Sequence, residues 1–132
     1  DGAGRAMRHL LAMRQSLREP EHLEVQLLNV QRPVSGDIGS FVSARSLDEY
    51  YDERSEAAMR PAREVLTAEG VRFEALQRVG PPGPTIAQTA QDLGCDLIVM
   101  GTRGLGSHSA ALVGSVAQST VEHSTVPVLL IK

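Results

Sequence analysis

Residues 101–116 read GTRGLGSHSAALVGSV, with glycines at 101, 104, 106 and 114 and a serine at 115. They follow Leu97-Ile98-Val99-Met100, an apolar run of the kind that forms a buried strand. A loop leaving the carboxyl end of such a strand stands where open α/β sheets receive ligands. Glycines there let successive backbone amides turn inward as an anion-binding nest, and a helix N-terminus adds its positive dipole end. Gly114-Ser115 stands where the next helix should begin, with a hydroxyl able to donate to a phosphate oxygen. The chemistry this suits is the binding of a di- or triphosphate.

Two common phosphate motifs are absent. A P-loop needs G-x-x-x-x-G-K-[ST], and the chain has no Gly-Lys pair. The dinucleotide fingerprint needs G-x-G-x-x-G, whereas Gly101, Gly104 and Gly106 give the reverse spacing. The loop instead reads G-x2-G-x9-G-[ST]. Blander roles remain for each residue. Gly101 and Gly104 could serve a tight turn alone, Ser115 could only cap a helix, and Arg103 could be a solvated loop residue. His108, between two serines, has no identifiable orienting acid and is not read as a catalytic base. Cys95 is read as a small core residue, and His9, His22 and His123 lack metal-ligand spacing.

The elements that must position the loop follow from periodicity. Residues 4–18 carry apolar side chains at helical spacing. Residues 23–30 read as a strand, and 32–45 as a loop rich in Gly, Ser and Pro. Ser46-Leu47-Asp48-Glu49 reads as a capping box opening a helix over about 47–69. Gly70 stops that helix, which contains Pro61. Residues 71–79 alternate as a strand. Pro84 opens a further helix whose buried stripe is Ile86, Ala87, Ala90 and Leu93, and Gly94 ends it. Residues 96–100 show no polar alternation and are expected to be covered on both faces. A helix over about 114–123 and a strand over 126–131 complete the chain. This α-β-α-β-α-β-α-β order implies a small doubly wound, Rossmann-like α/β fold, a parallel sheet with helices on both faces.

Composition narrows the function. The 132 residues fit a single domain spanning 1–132. Acids and bases are interspersed at a net charge of −3, which argues against a nucleic-acid partner. No apolar run approaches the ~20 residues of a membrane span, so no membrane association is expected. One cysteine excludes an intrachain disulfide and makes the cytoplasm the default setting.

The glycine loop, with LLNV-QRP at 27–33, VGPPGPTIAQTA at 79–90, GCDLIVMGTRG, GSVAQSTVEHS and TVPVLLIK, resembles the ATP-binding subgroup of the universal stress proteins of the UspA type. That resemblance implies strand order 3-2-1-4-5 and an adenine nucleotide, ATP; Mg²⁺ could be held by phosphates, Ser115 and water. By position, Asp1 would hydrogen-bond the adenine or stand close to it, and Val30 would pack on the base. Met100, Gly101 and Gly104 would line the ribose and phosphates; on charge grounds alone, Arg103 between the two glycines is a candidate for a further phosphate contact. Gly114, Ser115 and Val116 would hold the phosphate end.

The implied function is a nucleotide-dependent regulatory module of the stress response, cytoplasmic and homodimeric through the strand from Val126 to Ile131. No catalytic residue is assigned, because residues 101–116 contain no Asp, Glu or Lys to orient water or hold a metal. The alternatives are a dimeric scaffold of the same fold without nucleotide, and a slow ATPase or autokinase using the same site. The family opens with an apolar strand ending in Asp-Gly-Ser. Here the chain opens at Asp1 and the serine position is Ala3. That mid-sheet strand is expected from about 5–10 apolar residues upstream, or from another chain.

Overall fold

The computed structural model describes residues 2–36, 43–102 and 113–132. The chain groups into two compact units. One comprises Asp1–Leu23 and Pro82–Lys132, and the other Glu24–Pro81.

The Glu24–Pro81 unit is a β-α-β crossover. Strand β1 (Val25–Gln31) pairs in parallel with β2 (Phe73–Val79), Val25 opposite Phe73 and Gln31 opposite Val79. Helix α2 (Ala44–Ala68) connects them and packs on both strands. Its buried residues Tyr51, Ser55, Met59 and Leu66 fall at helical spacing, so one stripe carries the packing. Leu66 is fully buried, and Val71 beyond the helix end is also buried.

Both ends of α2 have a local cause. The N-cap is Ser43, whose hydroxyl accepts from the Ser46 amide at 3.1 Å. The expected box at 46–49 therefore does not form the cap. Ser46 becomes the partner of Ser43, with the two hydroxyls 2.9 Å apart, and Glu49 turns to Arg45 at 3.4 Å. At the other end Gly70 stops the helix as expected, with φ +67°. Its amide bonds the Thr67 carbonyl, and the Val71 amide reaches back to Leu66 at 2.9 Å. This is the pair of hydrogen bonds of a Schellman ending, which needs the left-handed conformation glycine adopts freely. Pro61 lies inside α2 without ending it.

A polar layer joins α2 to the carboxyl half of the strands. Ser55 Oγ and Gln31 Nε2 both donate to Asn29 Oδ1, at 3.1 and 2.8 Å. Gln77 Nε2 donates to Asp52 Oδ1, and the Val34 amide donates to Tyr51 Oη at 2.9 Å.

The other unit holds helix α1 (Gly2–Gln15), a 3₁₀ turn (Pro20–His22), α3 (Pro82–Asp92), β3 (Ile98–Gly101), α4 (Ser115–His123) and β4 (Val128–Ile131). Strands β3 and β4 are parallel, Ile98 opposite Val128 and Gly101 opposite Ile131. Helix α1 packs on both of them. Helix α3 lies against α4, so closely that a Cβ on Gly83 would run into Ser119. Gly94, at φ +65°, ends α3 with the same pair of bonds as Gly70.

The predicted alternation of helix and strand is observed, and every described pairing is parallel. The described strands form two two-stranded sheets, β1-β2 and β3-β4. The expected order 3-2-1-4-5 is not displayed among the described residues. Two burial expectations change. Leu93 is 43% exposed, and the face of α3 is buried instead through Ala87, Thr89 and Ala90. In the apolar run at 96–100 only Ile98 is buried, and Leu97 is 38% exposed.

Candidate functional site

The site is built on the carboxyl end of β3. Past Gly101 the ladder runs on for one residue, since the Thr102 amide donates to the Ile131 carbonyl at 3.1 Å. The Thr102 carbonyl then accepts from the Gly114 amide at 2.5 Å. One buried residue, 5% exposed, thus ties the strand end to the start of α4. Residues far apart in sequence, Gly101 on one side and Gly114 and Ser115 on the other, are brought together by that tie.

Gly114 is the N-cap of α4, and no side chain caps the helix. Its carbonyl accepts from the Gln118 amide at 3.0 Å, which starts the helical ladder. The first amides of a helix have no partner within it, so those of Ser115, Val116 and Ala117 form a group of donors at the positive end of the dipole. Ser115 is the first helical residue rather than the cap, and it is exposed. Capping does not account for its hydroxyl. Gly114 has φ −65° and ψ 160°, values open to any residue. Backbone conformation therefore does not require glycine there, and the absence of a side chain is what it contributes.

A second helix start meets the same strand end. A Cβ added to Gly101 would lie 2.7 Å from Gly2 Cα and 2.8 Å from its carbonyl oxygen. Glycine at 101 is thus needed for the approach of the α1 backbone. Helix α1 carries Arg5, Arg8, His9 and Arg14 and no acidic residue, so its charge adds to its dipole.

Met100 is half-buried in β3 beside Gly101. Val116, half-buried, accepts at its carbonyl from Thr120 Oγ1 at 2.8 Å. Val30 belongs to the other unit, in β1 opposite Arg78. Asp1, Arg103, Gly104, Gly106 and His108 lie outside the described residues. Sequence reasoning overlooked Thr102 and Gly2. Thr102 was hidden because its part is played by backbone groups, whose partners appear only in three dimensions. Gly2 carries a local signal, a glycine at a helix start, but its partner Gly101 is distant in sequence.

Among the described residues no group of three or more His, Cys, Asp or Glu could hold a metal ion, and no helix is long and apolar enough to cross a membrane. The arrangement offers backbone amides and hydroxyls to an anion.

The model of the universal stress protein family matches residues 1–132, and the chain belongs to that family. A universal stress protein of Thermus aquaticus is 40% identical over 86 residues, spanning 64% of this chain and 63% of that relative. The solved structure of MJ0577, a universal stress protein of Methanocaldococcus jannaschii, superposes with a TM-score of 0.78 at 28% identity, covering 96% of this chain and 85% of that one. A family protein of Arabidopsis thaliana, solved with AMP bound, superposes with a TM-score of 0.66 at 22% identity over 98% of this chain and 76% of that one. The last likeness carries the fold alone.

Proposed function

We propose that the chain is an ATP-binding universal stress protein, a nucleotide-dependent regulatory module rather than an efficient catalyst. The observation that carries this reading is the bond from the Gly114 amide to the Thr102 carbonyl. It sets the uncapped start of α4, with Ser115 as the first helical residue, beside the end of β3. Phosphates would be held by Gly101, Gly104, Gly114, Ser115 and Val116, with Arg103 adding charge. Met100 would border the ribose, and Val30 and Asp1 would meet the base. Mg²⁺ would be carried by the phosphates, Ser115 and water.

The AMP in the Arabidopsis protein belongs to that protein. The phosphate assignment rests on this chain's own glycines and helix start. A homodimer formed through β4 and a cytoplasmic setting belong to the same reading. The dimer is supported by the apolar composition of Val128–Ile131, and the setting by the single cysteine.

The direct experiment is mass spectrometry of small molecules released from the purified protein, followed by calorimetric titration of the stripped chain with ATP and AMP. Release of an adenine nucleotide, with rebinding on titration, is expected. A chain that releases none and binds neither would leave the nucleotide-free scaffold as its function. Phosphate release that disappears in Ser115→Ala would instead establish slow hydrolysis at the same site.

A further inference from the structure

We infer that Gly83 is a positioning residue for the phosphate site: the room it leaves for Ser119 sets where α4 begins. The inference rests on the nucleotide reading above. Gly83 is the second residue of α3 and is buried there. Its φ lies outside the left-handed region, so the backbone does not call for glycine. Helices favour alanine over glycine, and position 83 forgoes that gain.

Space is the reason. A Cβ at position 83 would run into Ser119 Oγ and Cβ, and would come within 3.0 Å of the Ser119 carbonyl carbon. The hydroxyl can rotate away, but the Ser119 Cβ and backbone cannot. Helices α3 and α4 would have to part.

Ser119 links that contact to the site. It stands four residues after Ser115, one turn along the same side of α4. Helix α4 has 9 residues, about 13 Å at the α-helical rise, so it moves as one piece. Helix α3 is its principal neighbour among the described elements. Ala117 and Thr120, on either side of Ser119, are buried, so the helix has little room to yield locally. A push at Ser119 is therefore passed to the first turn, where the Gly114 amide bonds the Thr102 carbonyl. Amide donors serve a phosphate oxygen only at about 2.7–3.2 Å with near-linear geometry, and the dipole fades beyond the first turn. Close seating of α4 on α3 keeps the amides of Ser115, Val116 and Ala117 in reach of an anion laid over Gly101.

The experiment is calorimetric titration of the intact chain with ATP and with adenosine. Wild type is compared with Gly83→Ala, and with Gly83→Ala combined with Ser119→Gly or with Ser119→Ala. ATP affinity should fall by about 10-fold in Gly83→Ala, with adenosine affinity unchanged. Ser119→Gly removes the obstructing Cβ and should restore ATP binding, whereas Ser119→Ala keeps it and should restore less. If Gly83→Ala impairs folding, Ser119→Val crowds the same contact from the other side and is held to the same loss for ATP alone. Unchanged ATP affinity in the folded variant, an equal loss for ATP and adenosine, or no recovery with Ser119→Gly would overturn the assignment. Wild-type protein that binds neither ligand would instead refute the nucleotide reading itself, and the role of Gly83 with it.

Discussion

Gly2 and Gly101 meet backbone to backbone, with the space for a Cβ on Gly101 already taken by Gly2 Cα and its carbonyl carbon, each 2.7 Å away. Two glycines nearly a hundred positions apart in sequence thereby fix the start of α1 on the end of β3. That contact, together with the Thr102–Gly114 bond, surrounds the strand end with two helix N-termini. Like-oriented dipoles converging on one place favour an anion there.

Gly101→Ala tests the contact. Backbone cannot yield as a flexible side chain does, so the added methyl should destabilise the protein by about 1–3 kcal/mol. Urea denaturation followed by circular dichroism gives the number. Stability equal to that of wild type would mean that α1 does not abut β3 at Gly101.

Gly70→Ala isolates a different effect. No atom lies within 4 Å of a Cβ placed there, yet φ is +67°. The cost should therefore be conformational only, about 1 kcal/mol. Gly94, at φ +65° with the same open surroundings, should behave alike. A loss of several kcal/mol at either position would point to lost packing instead.

The polar layer under α2 predicts an asymmetry. Ser55 is 1% exposed, and its Oγ donates to Asn29 Oδ1. Ser55→Ala removes a donor and should cost about 1 kcal/mol, whereas Asn29→Leu strands both the Ser55 hydroxyl and the Gln31 amide and should cost about 2–3 kcal/mol. Equal effects in denaturation would show that Asn29 is not the shared acceptor.

The proposed dimer would form at the edge of β4. Among the described residues its ladder partner is β3, and the strand reads Val-Leu-Leu-Ile. An apolar edge of this kind invites pairing with a second copy. Leu129→Lys with Ile131→Lys should shift sedimentation from dimer to monomer. A wild-type chain that sediments as a monomer at micromolar concentration, with or without ATP, would sink the proposal.

Element order was readable because each segment carries its own period. Apolar residues recur along α2 at helical spacing, and Gly70 and Gly94 mark the helix ends where the left-handed conformation is needed. The start of α2 was misplaced because Ser43 and Ser46 are both competent caps three residues apart. The choice between them depends on which amides are left free, not on composition. Leu93 and Leu97 were read as buried although both are substantially exposed. Periodicity identifies an apolar face without saying what covers it.

At the site, residue types were visible and closure was not. Gly101, Gly114 and Ser115 stood out by spacing, although the packing reason for Gly101, the backbone of Gly2, is distant in sequence. Thr102 did not stand out, because its two bonds use main-chain groups that every residue possesses.

The central claim is that phosphates lie at the start of α4, and Gly114→Val tests it most directly. Gly114 has φ −65° and ψ 160°, so valine fits the backbone without strain and the fold should be retained by circular dichroism. Its side chain would nevertheless stand where the phosphate oxygens approach the helix amides. Calorimetric titration with ATP should show binding by wild type and none by the folded variant. Unchanged affinity in folded Gly114→Val would contradict the account.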